Sequence, residues 1–376
     1  MKIIQTNKAY YPKVGGIETT ITILSEGLVK KFNADVSVLV CNEKTTLKTK
    51  HKKINNVNVH YLATYGFIAS LPISPSYFYS LSKLNGDILH IHEPFPLADL
   101  SIALISKIKK NFSHIVISWH SDIIRQKWVL SFYRKYIYNL LELTDKIIVS
   151  NPKLIDNSEF LPSYRNKCQV IPIGVNLDWT NKPFGEKKFN FNHRSNSISL
   201  LFVGRLVYYK GIEYLLEAMK LIPDATLTII GSGKLKNKII AQINELKLNG
   251  RAVVIPEIDE ETLHSYYKSC DILILPSIEK SETYGIVQIE AMACGKPIIC
   301  TELGTGTTFI NQNNITGLVV PPRDSKALSD AINKLSNDKI LRLELGSHAK
   351  IRALEEFKSD TMVERVYQLY RDLLKK

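Results

Sequence analysis

Short runs of apolar, β-branched residues alternate with stretches whose apolar positions recur at helical spacing, from one end of the chain to the other. That alternation is the pattern of stacked strand-helix-strand units built on parallel sheets. It predicts a first series of strands at Lys2–Thr6, Val36–Cys41, Val57–Tyr61, Ile88–Ile91, Ile115–Ser118 and Lys146–Val149. A second series is predicted at Ser199–Val203, Ala225–Ile230, Ala252–Ile255, Ile272–Leu275 and Pro297–Cys300, separated by helices of about ten residues. Between the two series, Leu177–Asn196 is polar, aromatic and Asn-rich with no clear period, and it is read as the hinge. The expectation is an α/β chain of two domains, 1–190 and 191–357. Residues 325–375 read as two or three amphipathic helices with no strand among them. The last, near Thr361–Lys375, has no sheet partner in its own half. Residues 358–376 are therefore expected to cross back to the N-terminal domain and bury a face containing Val363, Val366, Tyr367, Tyr370 and Leu374.

Composition agrees with this division. The chain has 376 residues, 45% of them apolar and 23% charged, enough for two domains with separate cores. No apolar run is long enough for a spanning helix, and Met1-Lys2-Ile3-Ile4-Gln5-Thr6 turns polar too soon for a signal peptide, so a cytoplasmic location is expected. The five cysteines, Cys41, Cys168, Cys270, Cys294 and Cys300, lack metal-type spacing and read as reduced, buried, small hydrophobes. The net charge of +13 suits nucleic acid, a membrane surface or anionic substrates. Its distribution narrows the choice: residues 1–190 hold 25 Lys+Arg against 14 Asp+Glu, whereas residues 191–376 hold 24 against 22. The positive surface belongs to the first half.

The most informative segment runs from Ser281 through Glu282-Thr283-Tyr284-Gly285-Ile286 to Glu290 and on to Pro297, directly after the strand Ile272–Leu275 and the turn Pro276-Ser277. Its two carboxylates straddle a strand-to-helix turn. Glu282 is expected in the crevice at the strand's C-terminal end, and Glu290 about two turns into the following helix. Backbone N–H groups around Tyr284, Gly285 and Ile286 open that helix and make an anion site suited to a pyrophosphate, with Ser277 beside it. After the first strand of the second half, Gly204-Arg205-Leu206-Val207-Tyr208-Tyr209-Lys210-Gly211 places Arg205 and Lys210 on a strand-to-helix loop, where two cations can neutralise a departing nucleoside diphosphate. In the first half, Gly15 and Gly16 let backbone approach a ligand at the first strand-to-helix turn, and His120 of Trp119-His120-Ser121-Asp122 ends another strand. Singly, each has an ordinary structural explanation as a helix-start carboxylate, a solvated basic loop or a core hydrogen-bonder. Their shared placement at strand ends favours one site.

Together these segments resemble glycosyltransferase family 4, and the resemblance covers nearly the whole chain. It is carried by Gly15-Gly16-Ile17-Glu18, Trp119-His120-Ser121-Asp122, Ile171-Pro172-Ile173-Gly174-Val175-Asn176, Gly204-Arg205-Leu206 with Lys210-Gly211, the Glu282 to Glu290 run, and Thr316-Gly317-Leu318-Val319. The resemblance implies a GT-B fold: two Rossmann-like domains with parallel sheets facing across a cleft, the first binding the acceptor and the second a nucleotide-sugar donor. It implies that Glu282 contacts the donor sugar, Glu290 the ribose hydroxyls, Arg205 and Lys210 the pyrophosphate, and His120 the region of the reacting centre. Gly16 and the amides near Gly285 and Ile286 match positions that approach the donor phosphates. More narrowly, Glu302-Leu303-Gly304-Thr305-Gly306-Thr307 and His120-Ser121-Asp122-Ile123-Ile124 look like bacterial O-antigen and exopolysaccharide mannosyltransferases, which implies GDP-mannose as donor. Pro256 and Glu257 stand where the family usually has a glycine near the base site, leaving a UDP-sugar as the alternative.

Glycosyl transfer develops positive charge at the anomeric carbon and negative charge on the leaving phosphate, and a carboxylate with a cationic clamp meets both needs. No carboxylate nucleophile stands out, so retention without a covalent intermediate is expected. Asp-x-Asp is absent, which argues against a metal-dependent single-domain enzyme; no metal and no cofactor are expected. Arg125 to Tyr136 mixes cations with aromatics as interfacial helices do, and Lys107, Lys109 and Lys110 add to it. Peripheral attachment to the anionic cytoplasmic face of the inner membrane is expected, suiting a saccharide acceptor linked to undecaprenyl diphosphate. An epimerase or hydrolase of the same shape is the competing enzyme class; a nucleic-acid binder lacks any recognisable motif.

Overall fold

The computed structural model of the chain describes residues 1–13, 15–68, 71–122, 127–183 and 197–375. It divides into two compact units, Met1–Gly174 with Ser359–Lys376, and Val175–Lys358. Of the polar stretch Leu177–Asn196, residues 178–181 form a short 3-10 turn, and residues 184–196 lie outside the described residues.

In the first unit the strands are β1 (Lys2–Thr6), β2 (Asp35–Cys41), β3 (Lys50–Ile54), β4 (Val57–Leu62), β5 (Gly66–Ile68), β6 (Leu71–Ile73), β7 (Gly86–Glu93), β8 (Phe112–Trp119), β9 (Lys146–Val149) and β10 (Cys168–Val170). Eight of them form one sheet in the order β10-β9-β8-β7-β1-β2-β4-β3, parallel except for the edge pair β3 and β4, while β5 and β6 make a separate hairpin. β3 carries Lys50-His51-Lys52-Lys53 on a solvent-facing edge, so it has no apolar run to betray it. The chain builds outward from β1 to β2 and β4, then returns to place β7 on the other side of β1. Ligands in open parallel sheets bind where the strand order reverses in this way, here at the C-terminal ends of β1 and β7.

Both sheet faces are covered. One face packs Ile21, Leu24 and Leu28 of the helix Gly16–Phe32 with Met362, Val363, Val366, Leu369, Tyr370 and Leu373 of the C-terminal helix Ser359–Leu374. The two helices touch closely: a Cβ on Gly27 would lie 2.6 Å from Val363 Cγ2. The apolar face differs from the sequence expectation in one residue, since Leu373 is 6% exposed and Leu374 38%. Leu373 repeats Val366 at seven positions and stays in the stripe, whereas Leu374 falls on the Tyr367 edge, where the ring stacks on Phe32 at 3.7 Å.

The second unit has six parallel strands, β11 (Ile198–Val203), β12 (Ala225–Ile230), β13 (Ala252–Ile255), β14 (Ile272–Leu275), β15 (Ile298–Thr301) and β16 (Gly317–Val320), in the order β13-β12-β11-β14-β15-β16. The order reverses between β11 and β14. Two helices, Ser325–Asn337 and Lys339–Glu356, follow β16, each capped by an aspartate: Asp324 accepts from the amide of Ala327 at 2.8 Å and Asp338 from that of Leu341 at 2.9 Å. All five cysteines are free; Cys41, Cys270 and Cys300 are buried, but Cys168 and Cys294 are only partly so.

Candidate active site

In the second unit the loops after β11 and β14 lie on one another. Gly211 adopts φ +65°, and a Cβ there would fall 2.2 Å from the carbonyl oxygen of Pro276, so only a glycine lets the two loops meet. This contact brings Lys210, in the turn Tyr208–Lys210, over the segment after β14. Lys210 Nζ lies 2.5 Å from Glu282 Oε2, and both side chains are 9% exposed. Ser277 Oγ donates to the same carboxylate oxygen at 3.0 Å. A buried ion pair is tolerated when further hydrogen bonds satisfy it, and Ser277 supplies one.

The loop after β15, seen in the sequence only as a mark of resemblance, holds this segment from below. Thr305 Oγ1 donates to the Glu282 carbonyl at 2.8 Å, the Gly306 amide donates to the Thr283 carbonyl at 2.9 Å, and Thr301 Oγ1 donates to the carbonyl of Ser277. Arg205, exposed, donates to the Tyr209 hydroxyl at 3.0 Å, and Lys210 Nζ lies 5.8 Å from the centre of the Tyr209 ring. Tyr209 thus stands between the two cations.

Gly285, at φ +79°, turns the chain into the helix Ile286–Ala293, and a side chain there would press on Leu275 at the end of β14. The first amides of this helix have no partners within it and carry the positive end of its dipole. Tyr284 is buried, and its carbonyl accepts from Gln288 Nε2 at 3.3 Å. Glu290 is the fifth residue of the helix, just over one turn from its start rather than the expected two, because the helix begins only at Ile286. Its hydrogen-bond partner is Tyr267, whose hydroxyl donates to Glu290 Oε2 at 2.6 Å. Burial pushes the Glu290 carboxyl up to about 7.

In the first unit the helix Gly16–Phe32 opens directly after Gly15, and nothing lies within 4 Å of where a Cβ on Gly16 would be. Val14, between the quoted Lys13 and Gly15, lies outside the described residues. At the reversal point of this sheet stands a row of histidines of which the sequence reading found only one. His90 and His92 share a face of β7 by strand alternation, and their rings stack at 4.3 Å. His92 stacks in turn on His120, after β8, at 5.5 Å. His92 Nδ1 is 3.2 Å from His120 Nε2, and His92 Nε2 is 3.0 Å from Gln5 Oε1. His90 is held by Ser118 Oγ at 2.8 Å and by the Tyr370 hydroxyl at 2.5 Å. Burial lowers all three imidazoles, His90 to about 3 and His120 to about 4, so they are neutral at ordinary pH.

Nearby, the buried carboxyls Glu93 and Asp99 are both raised by burial, and Tyr133 donates to Asp99. Tyr133 is therefore a core residue, which corrects its place in the expected interfacial stretch Arg125–Tyr136. Arg125 and the side chains from there through Phe132 lie outside the described residues, while Arg134 and Lys135 are exposed. Among the described residues no group of three His, Cys, Asp or Glu side chains is arranged to hold a metal ion, and no helix is long and apolar enough to cross a membrane.

The sequence and the fold are similar to those of known proteins. Residues 14–179 match Glycosyltransferase Family 4, and residues 183–352 match Glycosyl transferases group 1. The chain is 30% identical over 380 residues to O-antigen chain mannosyltransferase C of Escherichia coli, covering 100% of this chain and 99% of that protein. It is 31% identical over 363 residues to the D-rhamnosyltransferase WbpZ of Pseudomonas aeruginosa, covering 95% and 92%. Among solved structures, sucrose-phosphate synthase from Thermosynechococcus elongatus superposes with a TM-score of 0.73 at 22% identity, covering 100% of this chain and 99% of that one. Anabaena HepE in complex with UDP gives 0.76 at 18% identity, covering 99% and 100%. The two parallel-sheet units are those of the GT-B fold, and the chain belongs to glycosyltransferase family 4.

Proposed function

We propose that the enzyme is a retaining hexosyltransferase that moves mannose from GDP-mannose to a saccharide carried on undecaprenyl diphosphate, in the synthesis of an O-antigen or related polysaccharide. The observation that carries this reading is the buried Lys210–Glu282–Ser277 cluster at the reversal point of the second sheet, in a chain alike over its full length to an O-antigen mannosyltransferase. In this reading Glu282 receives hydroxyls of the donor sugar. Lys210, Arg205 and the amides at Gly285 and Ile286 balance the diphosphate, and Glu290 holds the ribose hydroxyls. Gly16 and His120 act from the first unit on the donor's phosphates and sugar.

A carboxylate already paired with a buried ammonium at 2.5 Å is a poor nucleophile, which supports retention without a covalent intermediate. The bond from the anomeric carbon to the phosphate oxygen breaks, the bond to the acceptor oxygen forms on the same face, and the acceptor proton passes to the leaving phosphate. The chemistry requires no metal and no cofactor, because fixed cations and helix amides stabilise the departing charge.

Peripheral attachment to an anionic membrane face belongs to the same reading. It is supported by Phe67 and Ile68, 43% and 67% exposed on the β5–β6 hairpin, and by the exposed lysines of β3. Thermal unfolding with GDP-mannose, UDP-glucose and other nucleotide sugars, followed by transfer to a lipid-diphosphate-linked acceptor with the anomer read by NMR, tests the proposal. A shift with UDP-sugars alone would replace the donor. Nucleoside diphosphate release without acceptor glycosylation would point to an epimerase or hydrolase instead. Sedimentation with anionic vesicles that is independent of salt and lipid charge would remove the membrane.

A further inference from the structure

We infer that Gln5 and His92 are positioning residues that fix the proton of His120 on Nε2 and so leave its Nδ1 as a hydrogen-bond acceptor. The inference rests on the reading of His120 as a donor-sugar residue and adds how that side chain is set. The chain of contacts runs through three elements: Gln5 on β1, His92 on β7 and His120 after β8.

With the Gln5 carboxamide oriented so that Oε1 faces the ring, the contact at 3.0 Å puts the hydrogen on His92 Nε2. A neutral imidazole carries one ring hydrogen, which makes His92 Nδ1 an acceptor. The contact at 3.2 Å then requires the hydrogen on His120 Nε2, and His120 Nδ1 is left with a lone pair. Neutrality follows from surroundings as well as burial. His92 is wholly covered, and the groups recorded against its ring are Gln5, His90 and His120, none of them an anion. His90, stacked behind His92, is pinned at both nitrogens by Ser118 and by Tyr370 of the C-terminal helix, so the row has a fixed back wall.

The consequence is chemical. An imidazole with its lone pair outward accepts a hydrogen bond from a hydroxyl and is repelled by a phosphate oxygen, which has only lone pairs to offer. His120 set in this way reads a sugar hydroxyl of the donor, and leaves the diphosphate to other groups. The opposite setting would make it a phosphate ligand.

The direct test is a long-range 15N–1H correlation spectrum of the full chain with labelled histidine. The expected pattern for His120 is protonated Nε2 and bare Nδ1; the reverse pattern overturns the inference. Two substitutions extend it. His92→Gln retains a carbonyl that can accept from His120 Nε2, whereas His92→Phe fills the ring's space and accepts nothing. His92→Phe is expected to scramble the His120 pattern and lower kcat/KM for transfer about tenfold, the value of one ordered hydrogen bond, with His92→Gln recovering most of it. Equal loss in both, with the spectrum unchanged, sinks the positioning role. His120→Ala at full activity would instead sink the reading of His120 itself, while the wild-type spectrum would still decide the tautomer.

Discussion

Lys210 Nζ and Glu282 Oε2 stand 2.5 Å apart, joined across the loops that follow β11 and β14. Seventy-one residues of intervening chain, carrying β12, β13 and β14, fold before the two side chains meet, so the pair reports on the assembly of that part of the second unit. It also sets the charge state of the site without donor, because the ammonium that a diphosphate would attract is already held by the carboxylate.

Removing either partner alone leaves an uncompensated buried charge. Glu282→Gln and Lys210→Met are each expected to destabilise the second unit by about 3–5 kcal/mol, whereas the double variant recovers a large part of that loss. Urea unfolding of the four proteins gives the coupling directly. Strictly additive losses would show that the pair contributes nothing as a pair. Transfer activity is expected to vanish in all three variants, because the double variant restores stability without restoring the clamp.

Glu290 carries a prediction about pH with a definite sign. Its carboxyl rises from an ordinary value of 4.5 to about 7 in the folded chain, so the folded state holds its proton more firmly than the unfolded state does. The stability this contributes is complete below pH 4.5 and is lost as pH rises through about 7. In the proposed role of Glu290 the ribose hydroxyls need the carboxylate as acceptor, so donor binding is expected to release a proton and tighten as pH rises from about 6 to about 8. Calorimetry in two buffers of different ionisation heat measures that proton. Glu290→Gln is expected to raise the melting temperature at pH 8 while weakening donor binding, and a variant that lost both would contradict the assignment.

The histidine row predicts acid sensitivity in the first unit. His90, His92 and His120 are depressed by burial, so the unfolded chain takes up protons near 6.5 that the folded chain refuses until far lower pH, about 4 for His120 and about 3 for His90. Their contribution is intact above pH 6.5 and is lost as pH falls, at about 1.4 kcal/mol per pH unit for each histidine. His90→Phe, which keeps the ring and removes the titration, is expected to flatten the decline between pH 6 and pH 4 in chemical denaturation. An unchanged slope would mean that His90 is already protonated in the fold.

Eleven strands of the two sheets were legible because buried parallel strands must be continuously apolar, and the β-branched runs at Val36–Cys41 and Ala225–Ile230 have no other use. β3, β10 and β16 escaped, as did the short hairpin strands β5 and β6: β3 because its side chains, mostly lysine, face water, and the others because runs of three or four residues are too short to show a period. Glu282, Arg205 and Lys210 were legible as strand-end residues, since chemistry gathers where strand order reverses. Their partners were less so. Ser277 was found, but the support from Thr305 and Gly306 comes from the next strand-end loop, after β15, and Tyr267 reaches Glu290 from a different helix. The histidine row did leave a trace in His90-Ile91-His92, a spacing that puts both rings on one strand face. Reading it as a row requires knowing that β8 lies beside β7, which sequence pattern alone does not supply.

Packing of the C-terminal helix on the first unit gives the remaining prediction. Gly27 faces Val363 so closely that a Cβ on the glycine would come within 2.6 Å of Cγ2 and 3.0 Å of Cγ1. Both atoms belong to a β-branched side chain with little rotamer freedom, on a helix fixed by Tyr370 at His90 and by Lys31 at Asp360 and Glu364. Gly27→Ala gains helix propensity of up to about 1 kcal/mol yet must push the helices apart, and overpacking of this kind costs about 1–3 kcal/mol, so a net loss of stability is expected. Val363→Ala removes the obstructing methyls at the cost of a cavity, and in that background Gly27→Ala is expected to become stabilising. Thermal unfolding of the two single variants and the double variant decides it, because a Gly27→Ala effect of the same sign and size in both backgrounds would mean that the two helices do not meet at this point.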